Sequence, residues 1–140
     1  MSQITPLVVL GNMTDASSDL FFRAWSIQRI LNCAEEHAGH QYPCDLPKLC
    51  VPLEDDEYPA AESLVLNAAG KLEEWTRQGL VVFVHCKAGI SRSPTIVMAW
   101  LILYKKYSFD DAWTTVVKAR PFVRPNPSFV KILKSLGKVS

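Results

Sequence analysis

A chain of 140 residues, 49% hydrophobic and 21% charged, suits one folded domain spanning 1–140 with one core. A formal net charge of +1 excludes the bulk electrostatics of a nucleic-acid binder. No apolar run approaches the roughly 20 residues of a membrane span, Ser2 does not meet the N-myristoylation pattern, and four irregularly spaced cysteines describe no secreted disulfide framework. The expectation is a reducing compartment, the cytoplasm and also the nucleus, with no stable membrane anchor; a monomer is expected as well.

In chain order, residues 6–10 read as a short strand ended by Gly11, and residues 12–18 as polar turn. Residues 19–25 suit a short helix with inward aromatics, capped by Ser17 or Ser18, and residues 29–33 resume strand character. Residues 35–48 form a loop with Pro43 and Pro47. It follows Cys33 and carries His37, His40 and Cys44, whose thiol and imidazole groups make zinc conceivable; their spacing fits no common finger, and a solvated loop without metal is the favoured reading. Residues 49–53 form another strand, ended or pushed to an edge by Pro52. Four acids then run from Glu54 to Glu57. Residues 59–78 form a helix with Ala61, Val65, Ala68, Leu72 and Trp75 on one apolar face and Gly79 as terminator.

Residues 80–84 (L-V-V-F-V) suit a buried strand, and a long apolar helix follows Pro94, with Ser93 expected as its N-cap. Between them lies His85-Cys86-Lys87-Ala88-Gly89-Ile90-Ser91-Arg92-Ser93. A tight loop at a helix start leaves backbone N–H groups without intrahelical partners, free to point at an anion. That environment favours a thiolate at Cys86. Arg92 is near enough to close the loop round a tetrahedral dianion in a bidentate fork, with residues 87–92 (Lys87, Ala88, Gly89, Ile90, Ser91, Arg92) holding its oxygens. Gly89 supplies a residue free to take positive φ. Ser93 can offer a hydroxyl to the departing sulfur, and His85 can order the loop. The chemistry implied is nucleophilic attack on phosphorus, giving a phosphocysteine that water hydrolyses. Ser108 and Asp111 form a capping box for a helix to about Ala119, and Asn126-Pro127 starts a last helix ended by Gly137.

H-C-K-A-G-I-S-R-S resembles the H-C-x5-R-[S/T] signature of the cysteine-dependent phosphatases, and the continuation A-G-I-S-R-S-P-T resembles the dual-specificity branch, in its small atypical form. The stretches I-L-N and R-P-F-V-R-P-N-P-S-F resemble other segments of that branch, so the resemblance covers nearly all of the chain. It implies an α/β fold with a central, mainly parallel sheet of four or five strands flanked by helices. It implies a protein phosphatase acting on phosphotyrosine and phosphoserine or phosphothreonine, with phosphoproteins as partners and no cofactor. It places the general acid about thirty residues before the nucleophile, on the loop after V-P-L: Asp55, with Asp56 as runner-up. Arg120 and Asn126 become braces near the loop. Lys87 keeps open a non-protein phosphate, such as a phosphoinositide or an RNA 5′-end; a non-catalytic phosphate-binding module is the alternative of another class. C-A-E-x-H, from Cys33 to His37, resembles a segment of a lipid phosphatase that carries a resolving cysteine, so Cys33 is a candidate redox partner of Cys86, against the plainer reading of a small buried hydrophobe.

Overall fold

The computed structural model describes residues 1–54 and 61–137. Its strands are β1 (Ser2–Thr5), β2 (Val8–Gly11), β3 (Arg29–Asn32), β4 (Lys48–Cys50) and β5 (Val82–His85). Its helices are α1 (Met13–Ala16), α2 (Asp19–Ala24), α3 (Ala61–Arg77), α4 (Arg92–Tyr104), α5 (Phe109–Ala119) and α6 (Pro127–Gly137), with a short 3₁₀ turn over Glu35–His37. The sheet order is β1-β2-β5-β3-β4. The β2–β5, β5–β3 and β3–β4 pairs are parallel, and β1 is added antiparallel at one edge.

Strand alternation divides the core. Val8, Leu10, Leu31, Val82 and Val84 point to the face covered by α3 to α6, while Val9, Ile30 and Phe83 point to the face covered by α1 and α2. The face of α3 read from its periodicity is the buried one: Ala61, Val65, Ala68, Leu72 and Trp75 are all in the core. Helix α4 is buried from Arg92 to Ile102, as an all-round apolar helix must be. Among the described residues no helix is long and apolar enough to cross a membrane.

Several boundaries differ from the sequence reading. The turn at 12–18 contains α1, made possible by a capping box in which Asn12 accepts from Asp15 N–H and Asp15 accepts from Asn12 N–H. Ser18, not Ser17, caps α2. The N-cap of α4 is Ser91, two residues earlier than expected, which puts Pro94 inside the first turn, where its missing N–H costs nothing. Strand β4 stops at Cys50, before Pro52. Strand β1 was not foreseen: S-Q-I-T carries no apolar alternation, and the strand exists because the turn at Thr5–Leu7 returns it along β2.

The parallel strands end in one register line. Gly11 and Asn32 flank His85, and Cys50 lies beyond Asn32. The segments that follow them all emerge at the same sheet edge, where ligands of open α/β sheets bind.

Candidate active site

The segment after β5 closes into a cup around Cys86. The thiol is 2% exposed, and its Sγ receives a hydrogen bond from Gly89 N–H at 3.2 Å and lies 3.1 Å from Ser93 Oγ. Gly89 takes φ +69, which the cup requires; a Cβ there would meet Arg120 and the Gly11 carbonyl. The cup's carbonyls are tied down from outside. Lys87 O accepts from Met13 N–H at 3.0 Å, and Ile90 O accepts from Arg124 N–H at 2.7 Å. Arg120 donates to Gly89 O at 2.8 Å and to Ala88 O at 3.3 Å. Ser91 O accepts from Thr95 N–H and from Thr95 Oγ1. Asn126 donates its backbone N–H to Ser91 Oγ at 3.0 Å, while its side chain caps α6 through Phe129 N–H.

Arg92 is 5% exposed, and its guanidinium lies flat against Glu36. Nη1 bonds Oε1, and Nη2 bonds Oε2 at 2.8 Å; Nη1 also donates to Leu53 O at 3.2 Å. The Arg92 hydrogen bond holds the Glu36 carboxyl at about 2, well below the usual carboxylate range. Glu36 is itself placed by Asn32, whose Nδ2 donates to His37 O and whose Oδ1 accepts from Ala34 N–H.

His85 is fully buried, stacked on Phe83 with ring centroids 5.0 Å apart. Its Nδ1 lies 3.4 Å from the Cys86 carbonyl, and its Nε2 lies 2.7 Å from the Tyr42 hydroxyl. A carbonyl only accepts, so the proton sits on Nδ1 and the Tyr42 hydroxyl donates to Nε2. Burial pushes the imidazole down to about 4, so the ring is neutral in the folded protein.

A nearly enclosed thiol addressed by Gly89 N–H and Ser93 Oγ, in a loop that ends at the braced Arg92, has the makings of a tetrahedral-oxyanion site with a nucleophile at its base. The family model "Dual specificity phosphatase, catalytic domain" matches residues 8–138. The chain belongs to the dual specificity phosphatase family. Mouse dual specificity protein phosphatase 18 is 30% identical over 92% of this chain and 68% of its own length. Human dual specificity protein phosphatase 1 is 32% identical over 91% of this chain, which spans only 35% of that protein. Protein 123R of Invertebrate iridescent virus 6 is 35% identical over 94% of this chain and 88% of its own length. Among solved structures, human DUSP28 superposes with a TM-score of 0.90 at 25% identity, covering 99% of this chain and 96% of that one.

Within this dual specificity phosphatase fold, Gly89 and Ser93 address Cys86 Sγ, and the Arg92 guanidinium pairs with Glu36 and Leu53 O. Lys87, Ala88 and Ile90 lie exposed on the rim, and Ser91 is buried beneath it. Asp55 and Asp56 lie outside the described residues; Leu53, two positions before Asp55, is bonded to Arg92. Cys33 is fully buried, and its backbone N–H donates to His85 O at 2.7 Å. Among the described residues no three His, Cys, Asp or Glu side chains gather to hold a metal; His40 instead bonds Ala16 O through Nε2. Glu36 and Tyr42 were missed by sequence reading. A buried guanidinium needs filled hydrogen bonds and an opposite charge nearby, but nothing in the local sequence singles out Glu36 as the acid that meets Arg92. Nothing in the local sequence of Tyr42 marks it as the partner of a histidine 43 positions away.

Proposed function

We propose that the protein hydrolyses phosphotyrosine and phosphoserine or phosphothreonine in protein substrates through a phosphocysteine intermediate. Cys86 Sγ attacks phosphorus while the loop N–H groups and Arg92 hold the equatorial oxygens. The P–O bond to the leaving group breaks, and Asp55 protonates the departing oxygen. Water then cleaves the S–P bond, and Ser93 supplies a hydrogen bond to the sulfur as it leaves. The reading is carried by one observation: Gly89 N–H and Ser93 Oγ both address Cys86 Sγ in a loop that runs into Arg92. The mouse phosphatase crystallised with zinc tungstate, 26% identical to this chain, supports it, because tungstate is a tetrahedral dianion like phosphate.

The test is turnover of an aryl phosphate, phosphopeptides and phosphoinositides by wild type, Cys86→Ser and Asp55→Ala. The expected result is phosphopeptide turnover that Cys86→Ser abolishes without loss of fold, and tight retention of phosphoproteins by Asp55→Ala. Retention of a tenth of the wild-type kcat by Cys86→Ser would assign the attack to another group, and exclusive turnover of phosphoinositides would reassign the substrate. Cys33 belongs to the same reading as a redox partner. It follows Asn32, which is in register with His85, and both thiols face the same side of the sheet. Burial pushes the Cys33 thiol up, so it stays protonated until peroxide converts Cys86 to the sulfenic acid; condensation then releases water and forms the disulfide. After mild peroxide and then a thiol reductant, wild type should recover and Cys33→Ser should not.

A further inference from the structure

Arg120 poses an electrostatic problem. Its residue is 2% exposed, and among the described residues no carboxylate lies within ion-pair distance of it. A buried guanidinium without a carboxylate is costly unless its hydrogen bonds are filled and an opposite charge lies near. Its hydrogen bonds go to Gly89 O, Ala88 O and Ser2 Oγ, the last at 3.2 Å, and its guanidinium lies 4.4 Å from the Phe122 ring centroid. Two of those acceptors are carbonyls of the Cys86 loop.

A trans peptide fixes C=O and N–H on opposite sides of one plane, and the described chain has no cis bond. Holding Ala88 O outward therefore turns Gly89 N–H inward, and it does point at Cys86 Sγ. Holding Gly89 O outward turns Ile90 N–H inward in the same way. We propose that Arg120 is a positioning residue for the phosphate: from behind the loop it aims the Gly89 and Ile90 N–H groups at the dianion, and its own charge is balanced by the negative charge the loop encloses.

This rests on the phosphatase reading and adds a second cation to it, one that does not touch substrate. Burial lowers the Arg120 guanidinium from its ordinary value, while negative charge at Asp15 and at Cys86 acts the other way. Asp15 is occupied elsewhere, by the N-terminal ammonium at 3.6 Å and by Asn12 N–H.

The probe is inorganic tungstate as a competitive inhibitor of p-nitrophenyl phosphate hydrolysis, with Arg120→Met and Arg120→Lys. Competitive inhibition of wild type tests the phosphatase reading by itself. Arg120→Met removes both charge and fork, and both its KM and its tungstate inhibition constant should rise tenfold or more. Arg120→Lys keeps the charge but, as a point donor, cannot hold two carbonyls; it should fall between. Circular dichroism and melting temperature accompany each variant. A folded Arg120→Met with a lower melting temperature but tungstate inhibition within twofold of wild type would reduce Arg120 to a structural brace and overturn the proposal. If Arg120→Met does not fold, Arg120→Lys decides alone, and inhibition equal to wild type overturns the role of the fork.

Discussion

Glu36 spends its carboxylate on Arg92, the group that the proposed mechanism sets against the phosphate. Replacing it by Gln keeps the shape and one acceptor but leaves a buried guanidinium with no opposite charge from that side. We expect Glu36→Gln to lower kcat/KM by ten- to a hundredfold, with kcat falling because the fork is misaimed in the transition state. The stability effect has a definite pH window. The folded carboxyl sits at about 2 and the ordinary value is 4.5, so its contribution is present above 4.5 and is lost as pH falls toward 2. Melting temperatures of wild type and Glu36→Gln should differ at pH 6 and converge by pH 2. His85 produces a second window by the opposite chemistry. It is neutral when folded, and the unfolded chain takes up its proton below 6.5, so stability declines as pH falls from 6.5 to about 4. The shift bounds this loss at about 3 kcal/mol. His85→Gln should flatten the melting profile in that window, and an unchanged slope would assign the loss to other groups.

At the scale of elements, caps were the most legible signal. Helix α5 begins after Ser108, whose side chain accepts from Asp111 N–H at 3.0 Å, and α6 begins after Asn126; both were bounded correctly because a cap is a local bond between residues three apart. The reciprocal half of the Ser108 capping box is not among the hydrogen bonds formed. Ser108→Ala should destabilise the protein by about 1 kcal/mol and leave kcat/KM unchanged, because Ser108 caps the end of α5 opposite to Arg120, which holds the loop. Urea melts and an aryl phosphate assay check the two halves. Elements defined by long-range pairing were less legible. Strand β1 depends on β2 for its existence, and its polar sequence says nothing of it. The start of α4 was misplaced because no side-chain cap sets it: the Ser91 hydroxyl accepts from Asn126 N–H instead, and the Ser93 hydroxyl stands beside Cys86.

For the whole molecule, the order of the strands was beyond sequence reading, whereas the composition of the catalytic loop was not. The nine-residue motif states its chemistry in contiguous letters; of the residues that brace it, Arg120 was legible through the stretch R-P-F-V-R-P-N-P-S-F, whereas Glu36 and Tyr42 come from another part of the chain and carry no mark of their destination. The rim offers Lys87, Ala88 and Ile90 to solvent. With no described element standing over them, phosphothreonine and phosphotyrosine peptides of one flanking sequence should both be turned over, with kcat/KM values within a hundredfold of each other. Hydrolysis of phosphotyrosine alone, measured as phosphate release, would contradict that expectation.

The outward carbonyls of the loop are held by Met13 after β2, by Thr95 within α4, by Arg120 at the end of α5 and by Arg124 before α6. An engineer who grafted the nine-residue motif onto an unrelated strand–helix corner would transplant the letters without the guy-lines. The peptide planes would be free to turn over, and the graft would present a thiol in a flexible bend. A transferable catalytic unit must carry these four anchors as well, and together they span most of the fold.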